Sequence, residues 1–118
     1  MEKIKIEGDR RRPSVNFDPA LGTLEIRGRS TTENSLAFYK PLHEWVSQYR
    51  ERPAENTTIN IGLEYFNTST SRWLYKILKA LEPGNNVKVN WYYSDEDILD
   101  AGEDMKAILD IPFSMIKE

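Results

Sequence analysis

The sequence predicts an α/β fold: a two-layer sandwich in which helices cover mainly one face of a mixed β-sheet. Three observations carry this. Short runs of apolar residues alternate with polar ones at period 2, the mark of half-buried strands. Amphipathic stretches of helical period lie between the later runs, and strand–helix–strand order implies right-handed crossovers with parallel neighbours. The third is the alternation itself. A sheet covered on both faces has near-continuous apolar strands, so alternating strands leave one face to water and argue against a doubly wound fold.

The elements follow in order. Ile4 and Ile6 alternate with Lys3, Lys5 and Glu7. Val15 and Phe17 alternate with Ser14, Asn16 and Asp18; Pro19-Ala20-Leu21-Gly22 supplies a turn; Leu24 and Ile26 return against Thr23, Glu25 and Arg27. Residues 14–28 therefore read as a β-hairpin. Phe38, Leu42, Trp45, Val46 and Tyr49 form one helical face. Pro41 removes a helical hydrogen bond within that run. The main helix is expected to begin near Lys40, after a short turn from Asn34, with Pro41 in its first turn. Ile59, Ile61, Leu63 and Tyr65 mark the apolar side of the next strand. Trp73, Leu74, Ile77, Leu78 and Leu81 mark a second helix that stops at Pro83-Gly84. Val87, Val89, Trp91 and Tyr93 share the core side of a further strand, which turns Tyr92 to the other side as a candidate contact residue. Ser94 is the expected N-cap of a third helix, with Asp95, Glu96 and Asp97 at its positive end and an apolar stripe of Ile98, Ala101, Met105 and Ile108. Phe113 and Met115 around Ser114 form a short last strand.

Composition narrows the chemistry. The 118 residues include no cysteine and one histidine, His43, and carry a formal net charge of −3. This is the size of one domain, expected to span 1–118. Disulfides, thiolate nucleophiles and centres built on several imidazoles are excluded. No run of about 18 apolar residues crosses a membrane. The opening MEKIKIEGDRRR lacks a secretory pattern, so a cytoplasmic protein is expected. Asn56-Thr57-Thr58 and Asn67-Thr68-Ser69 match the glycosylation sequon, which without that pattern carries no weight. A pI of about 5.3 and one basic cluster, Arg10-Arg11-Arg12, argue against nucleic acid. Neither a phosphate-cradling glycine motif nor a Ser-His-Asp order around His43 occurs, and His43 reads as a surface or interface residue. Asp95, Glu96, Asp97, Asp100, Glu103 and Asp104 fail the calcium-loop pattern. Counted from Asp95, position 6 is Asp100 and position 12 is Lys106, so they read as a solvated helix face. No metal, cofactor or catalytic residue is expected. Hydroxyls, carboxylates and backbone dipoles remain.

They gather at one place. In LEYFNTSTSRWL, residues 63–74, a strand gives way to a helix across Asn67, Thr68, Ser69, Thr70 and Ser71. Each is a good capping type, yet one cap explains one residue. A hydroxyl at a helix N-terminus is also a favourable phosphoacceptor, because free N–H groups and the macrodipole stabilise the added charge. Arg72, four residues after Thr68, is placed to pair with such a phosphate. Glu33-Asn34 precedes the first helix, where Asn34 is an N-cap candidate and the pair could equally shape a surface beside the junction. Chemistry alone leaves Ser69, Thr70 and Ser71 open as acceptors beside Thr68.

The segments GRSTTENSLAFYKPLHEWV, INIGLEYFNTSTSRWLYKIL and VNWYYSDEDILDAGEDM resemble the SiaC family of bacterial regulatory phosphoproteins, over about Ile6 to Phe113. Glu33-Asn34, Tyr65-Phe66-Asn67-Thr68-Ser69, Trp91-Tyr92-Tyr93 and Gly102-Glu103-Asp104 are the most specific parts. The resemblance implies a fold similar to the STAS domains of anti-sigma-factor antagonists and a phosphothreonine at Thr68. It also implies a partner switch. A serine/threonine kinase and a PP2C-like phosphatase set the modification, and the unmodified protein binds and activates a diguanylate cyclase in cyclic-di-GMP signalling of the kind that regulates biofilm. Glu33, Asn34, Asn67, Ser69, Arg72 and Tyr92 are then the candidate partner-binding residues. Thr32 departs from the family's usual proline before Glu33-Asn34, which alters the loop's rigidity. Two readings compete: a constitutive scaffold pairing through a sheet edge, and a small nucleotide-binding or hydrolytic enzyme using Glu33, Thr68 and the acidic helix.

Overall fold

The computed structural model describes all 118 residues. Nine elements follow in order: β1 (Ile4–Ile6), β2 (Ser14–Asp18), β3 (Thr23–Ser30), α1 (Ser35–Tyr49), β4 (Thr57–Phe66), α2 (Thr68–Leu81), β5 (Val87–Tyr93), α3 (Glu96–Ile108) and β6 (Phe113–Lys117). The six strands form one sheet in sequence order, antiparallel from β1 to β3 and parallel from β3 to β6. That order explains the layering. Three successive right-handed crossovers, each stepping one strand the same way, place their helices on the same face.

Inward residues match the alternation read from the sequence. Val15, Phe17, Leu24, Ile26, Ile59, Ile61, Leu63, Val89, Trp91 and Phe113 are buried beneath the helices, in one core with Tyr39, Leu42, Val46, Leu74, Ile77 and Leu78. Each such fully buried large side chain contributes roughly 1.5–3 kcal/mol by leaving water. The opposite face is polar. Asn90 donates to Asn60 across β5 and β4 at 2.9 Å, and Arg27 lies over the ring of Tyr92, 4.4 Å from its centroid. The predicted α/β sandwich with helices on one face is the observed one, and no helix is long and apolar enough to cross a membrane.

Four local expectations are corrected. Helix α1 is continuous from Ser35, so Pro41 lies in its second turn and not its first. The opening turn forms ahead of the proline because it is anchored: the Asn34 side chain accepts from the Ala37 N–H, and Ser35 and Tyr39 are buried and hydrogen-bonded to neighbouring elements. Pro41 faces solvent, where the broken bond costs least. Asp95, one residue after Ser94, caps α3 by accepting from the Ile98 N–H. Ile108 is 62% exposed, because the chain leaves the helix after it and turns Leu109 and Ile111 inward instead.

The fourth correction lies beside the β4–α2 junction. Tyr65 was expected on the core side of β4, yet it is 51% exposed. The pairing of β3 with β4 shifts there: Gly28 faces Leu63, but Arg29 faces Tyr65, leaving Glu64 as an extra residue. Gly28 has φ of +120°, which a side chain would strain. This bulge reverses the alternation, so Phe66 packs inward, its ring edge-on to Trp91. Tyr65 turns out beneath Arg29, whose guanidinium lies 5.6 Å from the ring centroid.

Candidate functional site

The hydroxyl-rich junction is built on Asn67, the N-cap of α2. With extended backbone (φ −86°, ψ 174°), its side-chain Oδ1 accepts from the Thr70 N–H at 2.9 Å, the Thr70 hydroxyl at 2.8 Å and the Ser69 hydroxyl at 3.0 Å. The Asn67 backbone N–H donates to Ser30 O, and its amide reaches Thr32 O at 3.4 Å. One residue therefore ties the end of β3, the loop before α1 and the first turn of α2.

The consecutive hydroxyls then diverge. Thr70 is fully buried, 2.7 Å from the Ser30 hydroxyl, which lies 2.6 Å from the Tyr39 hydroxyl. Each hydroxyl has one proton to give. Because the Asn67 carbonyl only accepts, Thr70 donates to it, Ser30 donates to Thr70, and Tyr39 donates to Ser30. Burial, opposed in part by the neighbouring Ser30 and Thr70 hydroxyls, pushes the Tyr39 phenol up to about 12 and so keeps it protonated as the donor this chain requires. Ser69 is half-buried and lies 2.6 Å from the Ser35 hydroxyl. That contact brings the N-termini of α1 and α2 together, so two positive dipole ends face the same region. Thr68, the first residue of α2, is exposed and makes no side-chain hydrogen bond. Ser71 is half-buried.

The structure therefore joins Asn67, Thr68, Ser69 and the Glu33-Asn34 loop at one surface. Asn34 does cap α1, and Glu33 is exposed beside it. Arg72 is exposed one turn after Thr68 and enters no ion pair. Tyr92 does not join them. It lies on the helix-free face, under an Arg27 that also pairs with Glu25 and Glu118 at 3.4 and 3.3 Å. Gly62 leaves room for that arginine, since a Cβ there would come within 2.8 Å of it. His43 sits between α1 and α2 with its ring 6.3 Å from that of Trp73. The arginine cluster is an exposed loop, in which Asp9 accepts from the Arg11 and Arg12 N–H groups and pairs with the Arg12 side chain at 2.7 Å. Those bonds, the Arg11 N–H first, lower the Asp9 carboxyl to about 2.

Sequence reasoning missed Ser30, Tyr39 and Ser35 as partners of the junction. A signal for Thr70 was present: with Leu74, Ile77, Leu78 and Leu81 it keeps the spacing i, i+4, i+7, i+8, i+11, which places it on the buried stripe of α2. Thr68 lies off that stripe, in line with Arg72.

Known proteins agree with this architecture. The model of the SiaC family regulatory phosphoprotein matches residues 6–118. The chain is 27% identical to an uncharacterized protein of Pseudomonas aeruginosa (strain UCBPP-PA14), over 98% of this chain and 96% of that protein. It is similar to apo-SiaC from Pseudomonas aeruginosa, at a TM-score of 0.91 and 25% identity, covering 98% of this chain and 99% of that one. It is likewise similar, at 0.90 and 25% over the same shares, to a chain in the crystal structure of the diguanylate cyclase SiaD in complex with its activator SiaC from the same organism. In that complex SiaC is the activator of the cyclase. The chain belongs to the SiaC family of regulatory phosphoproteins.

Proposed function

We propose that this chain is a phospho-regulated partner switch, one cytoplasmic regulatory domain over residues 1–118, with Thr68 as its switch hydroxyl. The observation that carries the reading is the exposure of Thr68 beside two helix N-termini, while Thr70 is buried and Ser69 is bonded to Ser35 and Asn67. A kinase needs an accessible hydroxyl, and a phosphate needs donors that tolerate its charge; Thr68 meets both needs. A serine/threonine kinase writes the modification and a PP2C-like phosphatase removes it. Unmodified, the surface made by Glu33, Asn34, Asn67, Ser69 and Arg72 docks and activates a diguanylate cyclase in cyclic-di-GMP signalling. The cyclase complex of the similar SiaC supports that choice of partner. A phosphate adds roughly −1.5 to −2 charge at that surface, enough to expel a partner that would have to desolvate it. Tyr92, on the far face, serves a separate contact.

Intact-mass analysis of native protein with site mapping, combined with cyclase binding by Thr68→Ala and Thr68→Glu, tests the reading. Phosphate at Thr68, binding by Thr68→Ala and loss of binding by Thr68→Glu are expected. Equal binding by both variants, with no phosphorylated form in cells, replaces the switch with a constitutive scaffold.

A further inference from the structure

Helices α1 and α2 pack on each other, whereas α3 lies on β5 and stands away from α2. Between α2 and α3 runs an open groove of about 430 Å³. Tyr75, Ala101 and Met105 form its apolar lining, and Ile108, more than half exposed, closes one end. Arg72 stands on the α2 wall and Asp104 on the α3 wall, and neither makes an ion pair within the chain. The second wall cation, Lys76, is engaged over the Trp73 ring at 4.6 Å, so Arg72 is the free one. Arg72 is also one helical turn from Thr68.

We propose that this groove receives an amphipathic helix of the protein partner, and that a phosphate on Thr68 releases that helix by taking Arg72 from it. The proposal rests on the partner-switch reading above. A channel between two helices fits the side-chain ridge of a third. The charges on its walls specify that ridge further: a carboxylate on the flank facing Arg72 and a cation on the flank facing Asp104. A second copy of this chain is a poor occupant, because the apolar stripes of α1, α2 and α3 are already buried in its own core. The release step follows from spacing. An anion at position 68 and a cation at position 72 stand in the favourable i, i+4 order, acid toward the N-terminus. Once Arg72 is paired within the chain, the partner's carboxylate meets phosphate in its place and is repelled.

Two measurements on the full chain test this, with phosphothreonine placed at position 68 by genetic incorporation so that no kinase is needed. In the first, ³¹P NMR follows the second ionisation of the phosphate. Pairing with Arg72 lowers it by about 0.3 unit relative to the Arg72→Gln chain. Equal values in the two chains overturn the release step. In the second, binding is measured to purified SiaD of Pseudomonas aeruginosa and to the diguanylate cyclases of this chain's own genome. Arg72→Gln and Ile108→Asp are each expected to weaken binding about tenfold or more. Phosphothreonine 68 weakens the parent strongly but adds little to Arg72→Gln, because both act through one side chain. Parent-like binding by Ile108→Asp removes the groove from the interface and leaves the switch reading standing. Failure of the unmodified parent to bind any cyclase removes the switch reading, and this one with it. Loss of self-association in Ile108→Asp makes a second copy the occupant and overturns the proposal.

Discussion

Replacing Gly102 by alanine tests how α3 is seated. Gly102 is buried where α3 crosses Trp91, and a Cβ there would lie 2.5 Å from the indole Nε1 and 2.6 Å from Cδ1. Carbon contacts settle at about 3.5–4 Å, so something must move by about 1 Å. Trp91 has little freedom to do so. It is fully buried, its N–H donates to Ile98 O at 2.8 Å, and Phe66 and Phe113 flank its ring. Helix α3 must therefore lift. Overpacking of this kind costs about 1–3 kcal/mol, and stretching the indole hydrogen bond costs about 1 kcal/mol more. Alanine's better helix propensity returns about 1 kcal/mol. The net loss of about 1–3 kcal/mol lowers the melting temperature by several degrees in a chain of this size. Urea and thermal melts measure it, and indole fluorescence reports whether Trp91 is disturbed. Glu103→Ala, at the exposed neighbouring position, is the control. If Gly102→Ala is instead more stable by about 1 kcal/mol, propensity alone has acted and α3 is not held against Trp91.

Three further outcomes follow from the junction and the turns. Thr70→Val deprives Ser30 and Asn67 of a buried partner and should cost about 1–3 kcal/mol in urea unfolding, while phosphate stoichiometry by intact mass stays that of the parent. Tyr39 ionises less readily folded than unfolded, so its contribution is complete below its ordinary value of 10.0 and is lost as pH rises toward about 12. Urea midpoints across that range should fall in the parent, and the Tyr39→Phe chain should lack this part of the fall. The carboxyl of Asp18 is lowered by the Leu21 N–H and Lys3, and that of Asp9 to about 2 by the Arg11 N–H and Arg12. Their stabilisation is present above the ordinary 3.8 and is lost as pH falls below it, for Asp9 toward about 2, a slope that Asp18→Asn and Asp9→Asn should each reduce.

The legible part of the fold was the part whose cause is local. Leu24-Ile26, Ile59-Ile61 and Val89-Trp91 announce their inward side by alternation alone, and parallel order then follows from the intervening helices. Tyr65 was misread because the reversal at Glu64 is a property of two strands: its alternation continues unbroken in the sequence, and only Gly28 on β3 reveals the bulge. Pro41 was misplaced for a similar reason. The local rule against proline lost to anchors at Ser35 and Tyr39, whose partners lie on other elements. At the candidate site, Asn67 as a cap was readable, but Ser30 and Ser35 were not, since nothing near them in sequence names Thr70 or Ser69 as partner. Tyr92 was correctly turned to the far face, and that same placement separates it from the junction.

The junction's repetition of hydroxyls acquires a physical division of labour. Asn67 holds the turn, Ser69 binds one helix start to another, and Thr70 locks the turn to β3 and, through Ser30, to Tyr39. A phosphate on Thr70 would have to enter a fully buried hydrogen-bond chain, and one on Ser69 would displace a 2.6 Å contact between helices; either modification unseats the fold. At Thr68 the same charge lands on a scaffold that its neighbours have already made rigid. The proposed switch therefore needs no refolding: the surface changes sign while the backbone beneath it stays in place, and reversal requires only removal of the phosphate.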